Sequence, residues 1–328
     1  MIITRTPFRI SLAGGGTDFE DFYKKKDGKV LSLTIDKYIY VMVKRQLGIV
    51  DHKYKITWSR VEFCNKIEDI KHPIVRETLK YFKIDYPIEI STYADVPSNT
   101  GLGSSSAFAV GLVNAIYALQ NKQVTKYQIA KVASEIEVDI LKRPMGKQDH
   151  YSCCYGNINT FTFKKNGVAV NPVFYNKKFL DLINNNFILL YTNLRRDSSQ
   201  ILKAQFNISS KQEIILDKMK NQVDEILKII NENKNFDQIG KILDIGWFLK
   251  KKISSKITNS KIENNYKIFK KNGAIGGKLL GAGGGGFLLM HVPNKHKKRI
   301  VKLSKKLFYL DFNLDSSGTR VTYYDNSL

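Results

Sequence analysis

From Ser105 to Leu119 the chain reads Ser-Ser-Ala-Phe-Ala-Val-Gly-Leu-Val-Asn-Ala-Ile-Tyr-Ala-Leu, with no charged residue anywhere in it. A helix that is apolar nearly all round has no face to give to water, so this one must be buried. It falls short of the ~18 uninterrupted apolar residues of a membrane span. The chain has 328 residues, enough for about two domains, and its hydrophobic fraction of 43% is ample for a packed core.

Around that helix the first half mixes strands and helices. Strands are expected at Arg9–Ala13, Val30–Thr34, Tyr38–Val43, Lys53–Thr57 and Ile88–Tyr93, which are β-branched or aromatic and bounded by Gly, Asp or Pro. Helices are expected at Phe19–Lys25, Ile74–Phe82 and Lys126–Leu141. The second half opens on a strand, Phe187–Tyr191, followed by amphipathic helices at Lys211–Ile230, Phe236–Lys251 and Ser260–Asn272. A glycine-rich turn, a strand Phe287–Val292, a helix Lys295–Phe308 and a last strand Arg320–Tyr324 complete the reading. There is no long-period repeat, and the division falls near 180/181.

Three cysteines, two of them adjacent (Cys153 and Cys154), form neither a disulfide framework nor a zinc motif. Together with an N-terminus lacking signal-peptide layout, they point to a cytoplasmic protein that needs no membrane. The net charge of +23 attracts polyanions and small phosphates alike. Its lysines are spread along the chain, and no helix-turn-helix, finger or RNA-binding signature accompanies them. The reading without nucleic acid is therefore preferred to a basic nucleic-acid-binding domain.

Three glycine-rich segments carry chemistry. Pro97-Ser98-Asn99-Thr100-Gly101-Leu102-Gly103-Ser104-Ser105-Ser106 leads from a strand into the buried helix. Free N–H groups at a helix start bind phosphate, and Gly101 and Gly103 let the backbone approach it. A simple serine cap would need only one such residue. Gly281-Ala282-Gly283-Gly284-Gly285-Gly286 satisfies G-x-G-x-x-G but is followed by a strand pattern, which argues against a dinucleotide site. Either a ligand or another backbone must come close there. The third, Gly14-Gly15-Gly16-Thr17-Asp18, is a tight turn presenting Asp18, either as a sugar-binding carboxylate or as a plain helix cap. The P-loop and protein-kinase signatures are absent.

In order and wording these segments resemble the GHMP kinases, with Pro7-Phe8-Arg9 as their first motif, Pro97 to Ala107 as their second and Lys278 to Gly286 as their third. The resemblance spans the whole chain. It implies an α/β (α+β) fold with a ribosomal-protein-like first domain (1–180) and a ferredoxin-like second domain (181–328). The site would lie in the cleft between them and use ATP with Mg²⁺.

On the same footing, Gly146-Lys147-Gln148-Asp149 matches the family's catalytic segment. Asp149 would steer the proton of the attacking hydroxyl, with Arg9 beside it. Pro97, Ser98, Gly101, Leu102, Gly103, Ser104, Ser105 and Ser106 would hold ATP, and Ser105 and Glu137 would hold magnesium. His150 replaces the usual Gln or Asn and would be a polar contact.

Where many sugar kinases of the family have Glu-His, this chain has Gly15-Gly16, which opens space beside the sugar. That turn and the string Gly273 to Phe287 look like the branch that phosphorylates the anomeric hydroxyl of a heptose 7-phosphate. Fucose-type kinases are the alternative. Gly15, Gly16, Thr17, Asp18, Gly281, Ala282, Gly283 and Gly284 would then face the sugar. A basic residue would meet its phosphate: Lys147 first, then Arg143, Arg195, Arg196 or Lys251. The expected partners are a sugar phosphate and ATP, and the expected state is a monomer or homodimer.

Overall fold

A computed structural model describes residues 1–194, 201, 208–304 and 307–325. Its backbone is β1 (Ile2–Ala13), β2 (Gly28–Arg45), β3 (Tyr54–Thr57), β4 (Val61–Cys64), β5 (Ile88–Ala94), β6 (Ile158–Lys164) and β7 (Gly167–Pro172) in one sheet. A second sheet holds β8 (Phe187–Tyr191), β9 (Gly276–Leu279), β10 (Phe287–His291) and β11 (Phe308–Leu310). The last strand, β12 (Arg320–Tyr324), returns to the first sheet and pairs antiparallel with β1.

Strand β2 is the spine. The sequence suggests two strands broken at Asp36-Lys37, yet the chain runs on through them. The interruption is a register shift in the β1–β2 ladder at Pro7/Phe8, where proline has no N–H to donate. Because β2 is so long, its first half pairs with β6 and its second half with β5. The β6–β7 hairpin was not expected, although Asn166-Gly167 between alternating segments is a strong hairpin signal.

The charge-free apolar run forms α3 (Ser104–Leu119). It packs on β1 and β2, and its Ala107, Val110, Leu112, Val113 and Ile116 are fully buried. Before it come the short α1 (Glu20–Tyr23) and α2 (Pro73–Tyr81). After it, α4 (Lys126–Ser134) widens to π geometry over Glu135–Ile140, where a single α-helix to Leu141 was expected. Such insertions recur at functional sites, and this one carries Glu137. Next comes α5 (Gln148–Tyr155), then α6 (Lys177–Asn186).

In the second half, α7 (Ser210–Glu232), α8 (Asp237–Lys251) and α9 (Ser260–Lys271) follow the expected amphipathic pattern. A second core forms under β8, β9 and β10 around Trp247, Phe269 and Leu288. The helix expected at Lys295–Phe308 is shorter, α10 (Asn294–Leu303), and Phe308 already belongs to β11. All three cysteines are free thiols. Among the described residues no helix is long and apolar enough to cross a membrane.

Candidate active site

Arg9, on β1, and Asp149, in the first turn of α5, meet as a buried bidentate pair: Nε to Oδ1 and Nη2 to Oδ2, both 2.6 Å. Two parallel charge-assisted hydrogen bonds fix the carboxylate plane. The third arm of the guanidinium donates to the Gly101 carbonyl at 2.6 Å and so ties the pair to the loop before α3. Burial works against the Arg9 charge, but the attraction of Asp149 outweighs it and raises the pKa.

The pair lines a cleft of about 460 Å³. On one side the cleft is walled by Gly101, Gly103, Ser104, Ser105 and Ser106 at the start of α3. Gly103 opens this helix in the left-handed region (φ 79°), and no side chain caps it. The first N–H groups of the helix are left for a ligand, and the positive end of its dipole favours an anion. Leu102 is buried beneath the loop, its carbonyl accepting from the Arg9 N–H at 3.1 Å. Pro97 and Ser98 lie on the loop's exposed side.

Ser105 and Glu137 come together as expected, with the hydroxyl donating to Oε1 at 2.6 Å. Two further residues join them. Arg143 Nη1 donates to both Ser105 Oγ (2.7 Å) and Glu137 Oε1 (2.6 Å). His150 Nε2 contacts Glu137 Oε2 at 2.9 Å, with both side chains fully buried. Burial opposes ionisation of Glu137, but His150, Arg143 and Ser105 together hold its carboxyl below the usual range. The hydroxyl and carboxylate suit a small hard cation that keeps much of its shell for phosphate and water. Arg143 would have to yield its two hydrogen bonds to such an ion.

On the other side of the Arg9–Asp149 pair lies the glycine turn. Asp18 is buried and lines the cleft, but its carboxylate accepts from Gly16 N, Gln148 N and Gln148 Nε2, each at 3.0 Å. It clamps the turn to the segment that carries Asp149 and is no helix cap, since Phe19 holds that position in α1. A Cβ on Gly146 would come within 2.0 Å of its Oδ2, which explains the glycine. Burial and nearby Asp149 push the Asp18 carboxyl up to about 6 against the hydrogen bonds that favour its charge. Gly15 and Gly16 line the cleft. A Cβ at Gly15 would make ordinary contact with Ser11 Oγ (3.4 Å) and Gln148 Nε2 (3.6 Å), whereas one at Gly16 would come within 2.9 Å of Leu216 Cδ2.

Three expected sugar contacts are not where the sequence suggests. Thr17 is fully buried, and its hydroxyl donates to the carbonyls of Gly14 and Lys29 (2.7 and 3.1 Å), holding the turn's own backbone. Gly284 is buried behind the lining, its N–H on the Ile257 carbonyl. Lys147 is not part of the cleft lining and pairs with Asp139 at 3.0 Å, while the next two residues, Gln148 and Asp149, are held by Asp18 and Arg9. Of the other basic candidates, Arg143 is on Glu137, Lys251 is on Glu263 at 2.8 Å, and Arg195 and Arg196 lie outside the described residues. The late glycine loop contributes Gly281, Ala282, Gly283 and Gly285. Sequence reasoning missed Lys250 at the end of α8 and gave Lys278 of β9 no role; both line the cleft.

The comparisons agree with this architecture. Residues 70–157 match the model for the GHMP kinases N terminal domain, and residues 224–304 match that for the GHMP kinases C terminal. The D-glycero-alpha-D-manno-heptose 7-phosphate kinase of Campylobacter jejuni is 33% identical, covering 97% of this chain and 98% of that protein. The crystal structure of a D-glycero-D-manno-heptose 1-phosphate kinase from Bacteroides thetaiotaomicron superposes with a TM-score of 0.80 at 21% identity, over 99% and 100% of the two chains. Mevalonate kinase of Methanococcus jannaschii gives 0.73 at 21% identity, over 95% and 98%. With two family models in order and a one-third-identical relative along nearly its whole length, the chain belongs to the GHMP kinase family.

Proposed function

We propose that this protein transfers the γ-phosphate of ATP to the anomeric hydroxyl of D-glycero-D-manno-heptose 7-phosphate, giving the 1,7-bisphosphate for nucleotide-heptose and surface-glycan synthesis. The observation that carries the reading is the Arg9–Asp149 pair set between an uncapped helix start and a glycine turn that lines the same cleft. The helix start of α3 takes the nucleotide phosphates. Gly15, Gly16 and the Asp18 clamp border the acceptor. The relative of C. jejuni supports a phosphorylated heptose as that acceptor.

Asp149 accepts the proton of the attacking hydroxyl, and Arg9 fixes its plane. Phosphoryl transfer depends mostly on positioning and charge stabilisation, so a strong base is not required. Ser105 and Glu137 would hold Mg²⁺, which supplies neutralisation of the phosphate charge. Arg143 keeps those two oxygens together and must swing aside. The test is steady-state kinetics with heptose 7-phosphate, the dephosphorylated heptose, fucose and galactose. Heptose 7-phosphate is expected to give the highest kcat/KM. A higher value for fucose would replace this reading with a fucose-type kinase.

A further inference from the structure

Among the described residues four cations line the cleft: Arg9, Arg143, Lys250 and Lys278. The two arginines are matched to Asp149 and Glu137. The two lysines are not. Lys278 is 7% exposed, and among the described residues its ammonium hydrogen-bonds only the Leu12 carbonyl, at 3.2 Å. Lys250, part-buried, donates to the Gly281 carbonyl. Among the described residues neither has a carboxylate within ion-pair distance. An ammonium has three donors, so each retains hydrogen-bonding capacity that one carbonyl does not use.

Burying an uncompensated charge is costly, and two such groups repel each other. Burial first, then Lys250 and Arg9, pulls Lys278 well below the usual lysine range; burial and Arg9, against the attraction of Asp149, bring Lys250 down to about 8. A fold bears that cost where an anion is to arrive. Position indicates which anion. The nucleotide side of the cleft already has the α3 start. Leu12 lies three strand residues beyond Arg9, about 10 Å along β1 toward the glycine turn. That span is of the order of a heptose.

Resting on the reading of the acceptor given above, we propose that Lys250 and Lys278 form the seat for the acceptor's own phosphate, with Lys278 as its far anchor. The ammonium pair meets the phosphate as two point charges. The bound phosphate supplies the counter-charge that the empty cleft lacks.

The test has two arms, on wild type, K250M, K278M, the double variant and K147A. In the first, melting is followed with a saturating non-hydrolysable ATP analogue, with and without millimolar inorganic phosphate. Wild type and K147A are expected to gain stability from phosphate; the double variant is expected to gain none, and its ligand-free form to melt higher than wild type. In the second arm, the kcat/KM ratio of heptose 7-phosphate over dephosphorylated heptose is expected to fall at least ~30-fold in the double variant, mainly through KM. KM for ATP should stay within about threefold, because the α3 start is untouched.

A phosphate shift that survives in the double variant, or one that the ATP analogue abolishes in wild type, overturns the seat. So does a rise in KM for ATP with acceptor preference intact, which would assign the lysines to the nucleotide's phosphates. If wild type prefers a neutral sugar while the phosphate shift still needs the lysines, the seat stands and the acceptor reading falls.

Discussion

The two glycine-rich loops of the cleft look alike in sequence and are glycine-rich for different reasons. In the loop before α3, a Cβ on Gly103 would meet only the Arg9 side chain, nearest at 3.2 Å. The backbone there is left-handed and its following N–H groups face the cleft. In the late loop, the near neighbour of almost every glycine is another backbone. A Cβ on Gly281 would come within 2.6 Å of Gly101 Cα, on Gly283 within 2.8 Å of the Ile257 carbonyl, on Gly285 within 2.3 Å of the Leu194 carbonyl and on Gly286 within 2.4 Å of the Thr100 carbonyl. The first loop is shaped for an anion at Gly103, whereas its Gly101, expected to face the phosphate too, belongs to the seam between the loops: a Cβ there would come within 2.7 Å of the Leu280 carbonyl. The second is a seam, stitched to the first by the Phe287 N–H on the Thr100 carbonyl at 3.0 Å. Glycine content alone therefore does not locate a ligand; what lies where a Cβ would be does.

The comparison breaks first at Asp149, which Arg9 ties to the loop before α3. Asp149→Asn is expected to lower kcat by about 10²–10⁴-fold while ATP binding changes little, as read by single-turnover phosphoryl transfer beside nucleotide titration. Near-normal turnover would remove Asp149 from the chemistry. The loops themselves separate next. Gly103→Ala should cost roughly 1 kcal/mol of folding, since a left-handed φ disfavours a side chain, yet raise KM for ATP about tenfold. Gly285→Ala should do the reverse: a melting drop corresponding to about 2–3 kcal/mol from forced backbone movement, with KM for ATP nearly unchanged in the protein that remains folded. Equal effects of the two variants on KM would mean that both loops cradle the nucleotide.

The smallest effect sharpens the acceptor end. Lys250 is depressed to about 8 by burial first and then by the Arg9 charge, with Asp149 opposing; Lys278, whose own pKa it helps to lower, is the other cation beside it. The Lys250 ammonium is present below that value and lost above it, so KM for a phosphorylated acceptor should rise several-fold from pH 7.5 to about 9, and KM for a neutral sugar should not. In the same window the unfolded chain still holds the proton, so the ligand-free fold gains stability as pH rises from about 8 toward the ordinary lysine range. A flat KM across that interval would take Lys250 out of phosphate binding.

Much of the fold was legible because its signals are local. The apolar run at Ser105–Leu119 and the strand Arg320–Tyr324 need nothing beyond their own residues to be read, although the partner of that strand, β1 some 300 residues earlier, does not follow from periodicity. Asp36-Lys37 reads as a break because two charged residues interrupt an apolar pattern. Only the pairing across β1 shows that the strand bends there without ending. In the site, Arg9, Asp149, Ser105 and Glu137 were found through motif wording, and the structure brings them together. Lys147 was favoured for its nearness in sequence to Asp149, and sequence nearness is a poor guide where a segment turns sharply: its side chain leaves on the opposite side, to Asp139. Lys250 and Lys278 carry no local mark, one being the end of an amphipathic helix and the other a residue in a short strand. What distinguishes them is that neither has a carboxylate partner among the described residues, which only packing reveals.

The central claim is that this cleft phosphorylates the anomeric hydroxyl of a sugar that already bears a phosphate. The most direct measurement is NMR of the product formed from heptose 7-phosphate, ATP and Mg²⁺, following the phosphorus resonances and the coupling of the C1 proton. The account expects a second phosphorus signal coupled to C1–H, with the original phosphate retained at C7. A product phosphorylated at any other hydroxyl, or no transfer under conditions where a neutral sugar is phosphorylated, would contradict it.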